Sequence, residues 1–118
     1  KHRITELRCA LEVVRNAVRA HREGYDAFIL GHFQDSGLWE ARSATPIPVI
    51  GLGESTLLHA CTLARTSGLI TIDPIHVPYH LDQINRYGLG TSHQPVMDKP
   101  IGQWILNIQR HRANFLLD

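Results

Sequence analysis

The sequence predicts an α/β fold, a three-layer α/β/α arrangement with a short parallel sheet, and two observations predict it. Segments with helical periodicity alternate with short apolar runs in the order helix, strand, helix, strand, helix, strand, helix. Each apolar run also stops at a strand-ending step: Leu30-Gly31, Ile50-Gly51 and Ile72-Asp73-Pro74. Strand–helix–strand crossovers are right-handed, so this order lays the strands in parallel and covers both faces of the sheet with helices.

The elements follow in order. Ile4, Leu7, Leu11, Val14 and Val18 recur at helical spacing with charged residues between them. This amphipathic helix ends near Glu23-Gly24, where glycine suits a left-handed cap. Residues 25–30 form a short apolar run, a buried parallel strand. Asp35-Ser36-Gly37 then turns the chain and caps a short helix through Trp39 and Ala41. Pro46-Ile47-Pro48-Val49-Ile50-Gly51 is a second strand with its prolines at the entry, where a missing N–H does least harm.

Residues 54–65 read as a helix whose apolar side is Leu57, Leu58, Cys61, Leu63 and Ala64. Gly68-Leu69-Ile70-Thr71-Ile72 is a third strand, broken by Asp73-Pro74. Residues 77–87 form one more helix, with Pro78 in its first turn and Gly88 closing it. After Gly90 the character changes. Residues 91–100 are polar and irregular, and residues 101–117 are expected to form a last helix through Ile101, Trp104, Ile105, Ile108 and Leu116. The chain therefore divides into an α/β lobe at 1–90 and a divergent segment at 91–118.

With 118 residues, 43% hydrophobic and 19% charged, the chain has the balance of an ordinary globular domain that can bury a core without disulfides or a structural metal. Twelve basic residues against eleven acidic ones leave a formal charge of +1, which excludes the dense basic face of a nucleic-acid binder. The basic residues near the start (Lys1, Arg3, Arg8, Arg15, Arg19, Arg22) are interrupted by Glu6 and Glu12 and read as a solvated helix face. The two cysteines, Cys9 and Cys61, fall in helices and read as thiols in a reducing compartment. No apolar run approaches the ~20 residues of a membrane span, and the first residues lack a signal-peptide core. The expected setting is cytoplasmic, with neither membrane nor nucleic acid as partner.

In parallel α/β sheets, ligands gather at the carboxyl ends of the strands. The loops expected there are residues 31–38, 51–55 and 73–77. The first belongs to the stretch Tyr25-Asp26-Ala27-Phe28-Ile29-Leu30-Gly31-His32-Phe33-Gln34-Asp35-Ser36-Gly37-Leu38. That stretch resembles the first active-site motif of the hydantoin-racemase branch of the aspartate/glutamate/hydantoin racemase family. The resemblance continues through Ala41-Arg42, through Ile47-Pro48-Val49-Ile50-Gly51-Leu52-Gly53-Glu54-Ser55, through Gly68-Leu69-Ile70-Thr71 and on to Tyr87-Gly88-Leu89. It covers about residues 1–90 in the same order and spacing, which is more specific than any single motif.

The resemblance implies one lobe of the racemase fold and a cofactor-independent racemase or isomerase, with no metal. Its substrate would be a small carbon acid such as a hydantoin or an amino-acid derivative, and the assembly a homo-oligomer. In that family two cysteines, one from each lobe, face opposite sides of the acidic carbon. Where the first would stand, this sequence has His32. An imidazole titrates nearer pH 7 than a free thiol, so a histidine there serves as a candidate catalytic base. Gly31, Phe33, Asp35, Glu54 and Ser55 are the candidate substrate-binding residues, with the backbone of residues 31–33 as an anion cradle.

Neither Cys9 nor Cys61 matches the family's second cysteine, which belongs to a later lobe. The family's first strand would precede Lys1, and residues 91–118 depart from its continuation. The resemblance thus implies a truncated, frame-shifted or shortened member whose site is impaired or incomplete as written. The alternative is a non-catalytic relic of the same fold that binds small anions or self-associates.

Plainer roles stand beside these. His32 can fill a strand-end corner, Asp35 can cap the following helix while orienting His32, and Glu54 and Ser55 can serve a helix N-terminus. Phe33 and Trp39 read as packing. Gly51-Leu52-Gly53 is a poor dinucleotide loop, because Thr56 stands where its third glycine belongs. Gly53-Glu54-Ser55-Thr56-Leu57 is a partial nucleophile elbow that lacks the last glycine. His76 and His80, with Asp73 and Asp82 nearby, hint at a metal site, although Pro78 separates them and no third ligand is evident.

Overall fold

The computed structural model describes residues 2–71, 74–92 and 104–109, with side chains described for 3–71 and 75–89. The chain is mixed α/β with a short parallel sheet and divides into two compact units, residues 1–56 and 57–118.

The first unit holds α1 (His2–Arg22), β1 (Phe28–Leu30), α2 (Leu38–Ala44), β2 (Val49–Gly51) and the opening turn of α3 (Leu52–Leu63). α1 runs without glycine or proline and ends as the sequence predicts. Gly24 takes φ 84°, and the N–H groups of Gly24 and Tyr25 reach back to the carbonyls of His21 and Ala20. Arg19, His21 and Arg22 in its last turn complement the helix dipole.

β1 and β2 are parallel, with Phe28 opposite Val49, Ile29 opposite Ile50 and Leu30 opposite Gly51. Residues alternate between faces along a strand. Leu30 and Val49 join Ala17, Leu38 and Ala41 in the core, with Val13, Val14 and Phe28 packed against it. Ile29 and Ile50 are 68% and 40% exposed. Within this unit α1 and α2 pack on the face that carries Leu30 and Val49. The apolar stripe of α1 is split. Its Val13, Val14 and Ala17 side packs inward, while Ile4, Leu7 and Leu11 stay exposed.

The second unit holds the rest of α3, β3 (Thr66–Thr71), a 3-10 turn at Pro74–His76, α4 (Val77–Arg86), β4 (Gly90–Ser92) and β5 (Trp104–Gln109). Here the structure departs from expectation twice. The third strand does not extend the parallel sheet but pairs antiparallel with β5, from Thr66 opposite Gln109 to Thr71 opposite Trp104. β5 in turn pairs antiparallel with β4, giving the order β3-β5-β4. Over residues 104–109 a strand thus stands where a helix was expected; the rest of that expected helix lies outside the described residues. A six-residue run in which Trp104, Leu106 and Ile108 alternate with Ile105, Asn107 and Gln109 satisfies a period of two as well as one of 3.6. Two neighbouring ladders then decide for the strand.

α4 begins with Pro78 in its first turn and closes as expected, with Gly88 at φ 70° and the Leu89 N–H on the Ile84 carbonyl. No helix among the described residues is long and apolar enough to cross a membrane.

Candidate functional site

The carboxyl ends of β1 and β2 lie side by side, so the loop at 31–37 and the start of α3 share one corner of the first unit. α3 begins directly after Gly51, which has no side chain with which to cap it. The cap comes instead from Asp35. The residue is only 2% exposed, and its carboxylate accepts the Gly53 N–H on Oδ1 at 3.0 Å and the Glu54 N–H on Oδ2 at 2.6 Å. Charge-assisted bonds at a helix N-terminus are among the stronger ones.

Asp35 was expected to cap the helix that follows it. The structure corrects this: Gly37 stands at the N-cap of α2 with no side-chain cap, and Asp35 serves the next helix on. Three backbone features fix its place. It takes φ 53°, a left-handed value that aspartate tolerates better than most residues. Its N–H donates to the His32 carbonyl at 3.0 Å, and its own carbonyl accepts the Leu38 N–H at 3.1 Å. Gly51 passes beneath it so closely that a Cβ would lie 2.7 Å from both Asp35 Oδ1 and Leu38 Cδ2.

Glu54 is held from the other side. Arg42 Nη1 and Nη2 donate to its two carboxylate oxygens at 3.1 and 2.5 Å, while Arg42 Nε donates to the Val49 carbonyl at 2.9 Å. The Arg42 guanidinium also lies 4.9 Å from the Trp39 ring centroid. Arg42 was seen in the sequence only as part of a matching dipeptide. Its i, i+3 spacing to Trp39 was the one local sign of a fixed guanidinium. Both carboxylates at this corner are therefore compensated, Asp35 by backbone N–H groups and Glu54 by Arg42.

Of the remaining candidates, Gly31 and His32 are exposed just past the end of β1, Phe33 is half-buried, and Ser55 is exposed in the first turn of α3. No hydrogen bond joins the His32 and Ser55 side chains among the described residues. The corner offers an open imidazole beside loop amides on a tightly anchored turn, an arrangement suited to moving a proton.

The third expected loop belongs to the second unit, and its Asp73 lies outside the described residues. His80 is buried, with Nδ1 3.5 Å from Gln83 Oε1, and its ring centroid lies 6.4 Å from that of His76. No group of three His, Cys, Asp or Glu residues suited to a metal occurs among the described residues. Cys9 is exposed and Cys61 half-buried, and neither forms a disulfide.

The profile of the family described as Asp/Glu/Hydantoin racemase matches residues 1–107, past the point near residue 90 where the motif resemblance ends. The chain is similar to the hydantoin racemase of Pseudomonas sp. (strain NS671), with 30% identity over 98 residues, covering 83% of this chain and 39% of that protein. It is also similar to the hydantoin racemase of Rhizobium meliloti, with 36% identity over 66 residues, covering 56% of this chain and 27% of that protein. The matched stretch thus spans well under half the length of either relative. No solved structure matches the chain.

Proposed function

The chain belongs to the Asp/Glu/hydantoin racemase family, and from that premise we propose that it is, or is part of, a cofactor-independent racemase or isomerase. Its substrate in this reading is a carbon acid such as a hydantoin or an amino-acid derivative; both relatives are named hydantoin racemases. The observation that carries the reading is the position of His32: exposed, just beyond the end of β1, on a turn anchored by Asp35.

In this reading the His32 imidazole takes the proton from the acidic carbon and becomes imidazolium. The electron pair left behind moves onto the adjacent carbonyl oxygen, and backbone N–H groups of residues 31–33 hold that charge. Gly31 and Phe33 contribute through the backbone, and Ser55, exposed in the first turn of α3, contacts substrate. A base acting from one face returns a proton to the same face, so it exchanges hydrogen with retention; inversion needs a donor opposite. Isotope exchange is therefore the proper readout. Wild type should exchange the substrate α-proton in heavy water, and His32→Ala should lose about 10²–10⁴ of that rate. Equal exchange in both would remove His32 from the mechanism. The two cysteine thiols suit a reducing cytoplasm as the setting.

A second reading is a non-catalytic domain that binds small anions or self-associates. The exposed Ile29 and Ile50 favour it, as do β1 and β2, which pair only with each other among the described residues and so leave bare edges. Sedimentation velocity tests this directly. A concentration-dependent dimer without proton exchange would select the second reading, and an active monomer would dismiss it.

A further inference from the structure

We propose that Asp35 is a positioning residue: its carboxylate is the built-in anion of the α3 N-terminus, and by filling that cradle it fixes the turn that carries His32. The Gly53 and Glu54 amides that open α3 are then already spent on Asp35 and are not offered to a substrate's developing charge. The functional part of this inference rests on His32 acting as the base.

The first N–H groups of any helix lack intrahelical partners and attract anions. In α3, Gly53 and Glu54 both donate to the buried Asp35 carboxylate. The residue that precedes the helix is Gly51, and its missing side chain both removes the local cap and makes room for the remote one. The same Asp35 holds the His32 carbonyl through its own N–H and adopts a left-handed backbone to do so. One residue thus ties the His32 turn to α3 through side chain and main chain together. Capping alone requires only the carboxylate; the bond to His32 makes the cap a positioning device.

The test is chemical rescue, read without turnover. Asp35→Ala leaves two N–H donors around a space shaped for a carboxylate, and formate carries the same pair of oxygens. In the variant, hydrogen exchange at the Gly53 and Glu54 amides should quicken by about tenfold or more, and the His32 and Phe33 amide resonances should shift. Formate, replacing chloride at constant ionic strength, should restore both and raise the melting temperature of the variant more than that of wild type. Unchanged protection at Gly53 and Glu54, unmoved His32 resonances, or equal formate effects on both proteins would overturn the proposal.

Asp35→Asn serves if the alanine variant does not fold. It keeps the shape but sets an amide donor against one of the two N–H groups, so protection should fall at one of the pair and hold at the other. Full protection at both would overturn the proposal. Formate rescue in a protein without α-proton exchange would sustain the holding role while removing the reading of His32 as base. Exchange that is unaffected by Asp35→Ala would do the reverse.

Discussion

Arg42 and Glu54 meet fork to fork, two parallel hydrogen bonds joining α2 to the first turn of α3. Their side chains are 30% and 16% exposed, so the pair is shielded from water without being sealed off. Arg42 also donates to the Val49 carbonyl, which ties the helix pair to β2. A lysine offers one point charge and cannot reproduce this geometry. A double-mutant cycle with Arg42→Lys and Glu54→Gln, followed by urea unfolding, should give a coupling of about 1–3 kcal/mol. A coupling near zero would mean that the pair is no more than a surface contact.

Gly37 and Gly24 share nearly the same left-handed φ, 83° and 84°, but differ in their surroundings. A Cβ on Gly37 would lie 2.7 Å from Ala10 Cα and 2.8 Å from its carbonyl oxygen, whereas one on Gly24 meets nothing within 4 Å. Gly24→Ala should therefore cost only backbone strain, about 1–2 kcal/mol. Gly37→Ala adds a clash with the α1 backbone and should cost at least about twice as much. Urea midpoints of the two variants check this, and equal midpoints would remove the close α1 contact.

Leu38 is fully buried between the helices and the sheet, while Leu63 is 75% exposed. Leu38→Ala should destabilise by about 2–5 kcal/mol through lost burial and the cavity left behind. Leu63→Ala should stay within about 0.5 kcal/mol of wild type. Thermal unfolding of both variants gives the comparison.

Ser55 lies in the first turn of α3, four residues into the helix, and not on a strained strand-to-helix step. A hydrolase nucleophile needs that sharp step to present its hydroxyl beside an oxyanion hole. Ser55 should therefore remain unlabelled by a fluorophosphonate probe, as read by intact mass. Labelling at Ser55 would show instead that the partial elbow at residues 53–57 presents an activated serine.

Much of the first unit was legible in the sequence because local signals carried it. Helical spacing, the Gly24 stop, and the apolar runs before Gly31 and Gly51 each state an element without reference to a partner. The corner at residues 31–38 and 51–55 was legible for the same reason, since strand ends announce their loops. What was not legible is long-range. Nothing local says that Asp35 reaches Gly53 and Glu54, eighteen and nineteen positions on, or that Arg42 faces Glu54. The apolar run at 68–71 falls within β3, but nothing in it predicts the antiparallel partner, because a strand's own residues do not name the edge it joins. β5 shows the same limit at shorter range, where six residues fit two periods until the neighbouring ladders choose.

The role of His32 as base is tested most directly by α-proton exchange in heavy water over a panel of hydantoins, with wild type, His32→Ala and His32→Cys compared at matched folded fractions. That role predicts exchange by wild type, a loss of about 10²–10⁴ in His32→Ala, and recovery in His32→Cys, which places a thiol base on the same turn. Exchange by His32→Ala at the wild-type rate, or no exchange by wild type above the buffer rate, would contradict it.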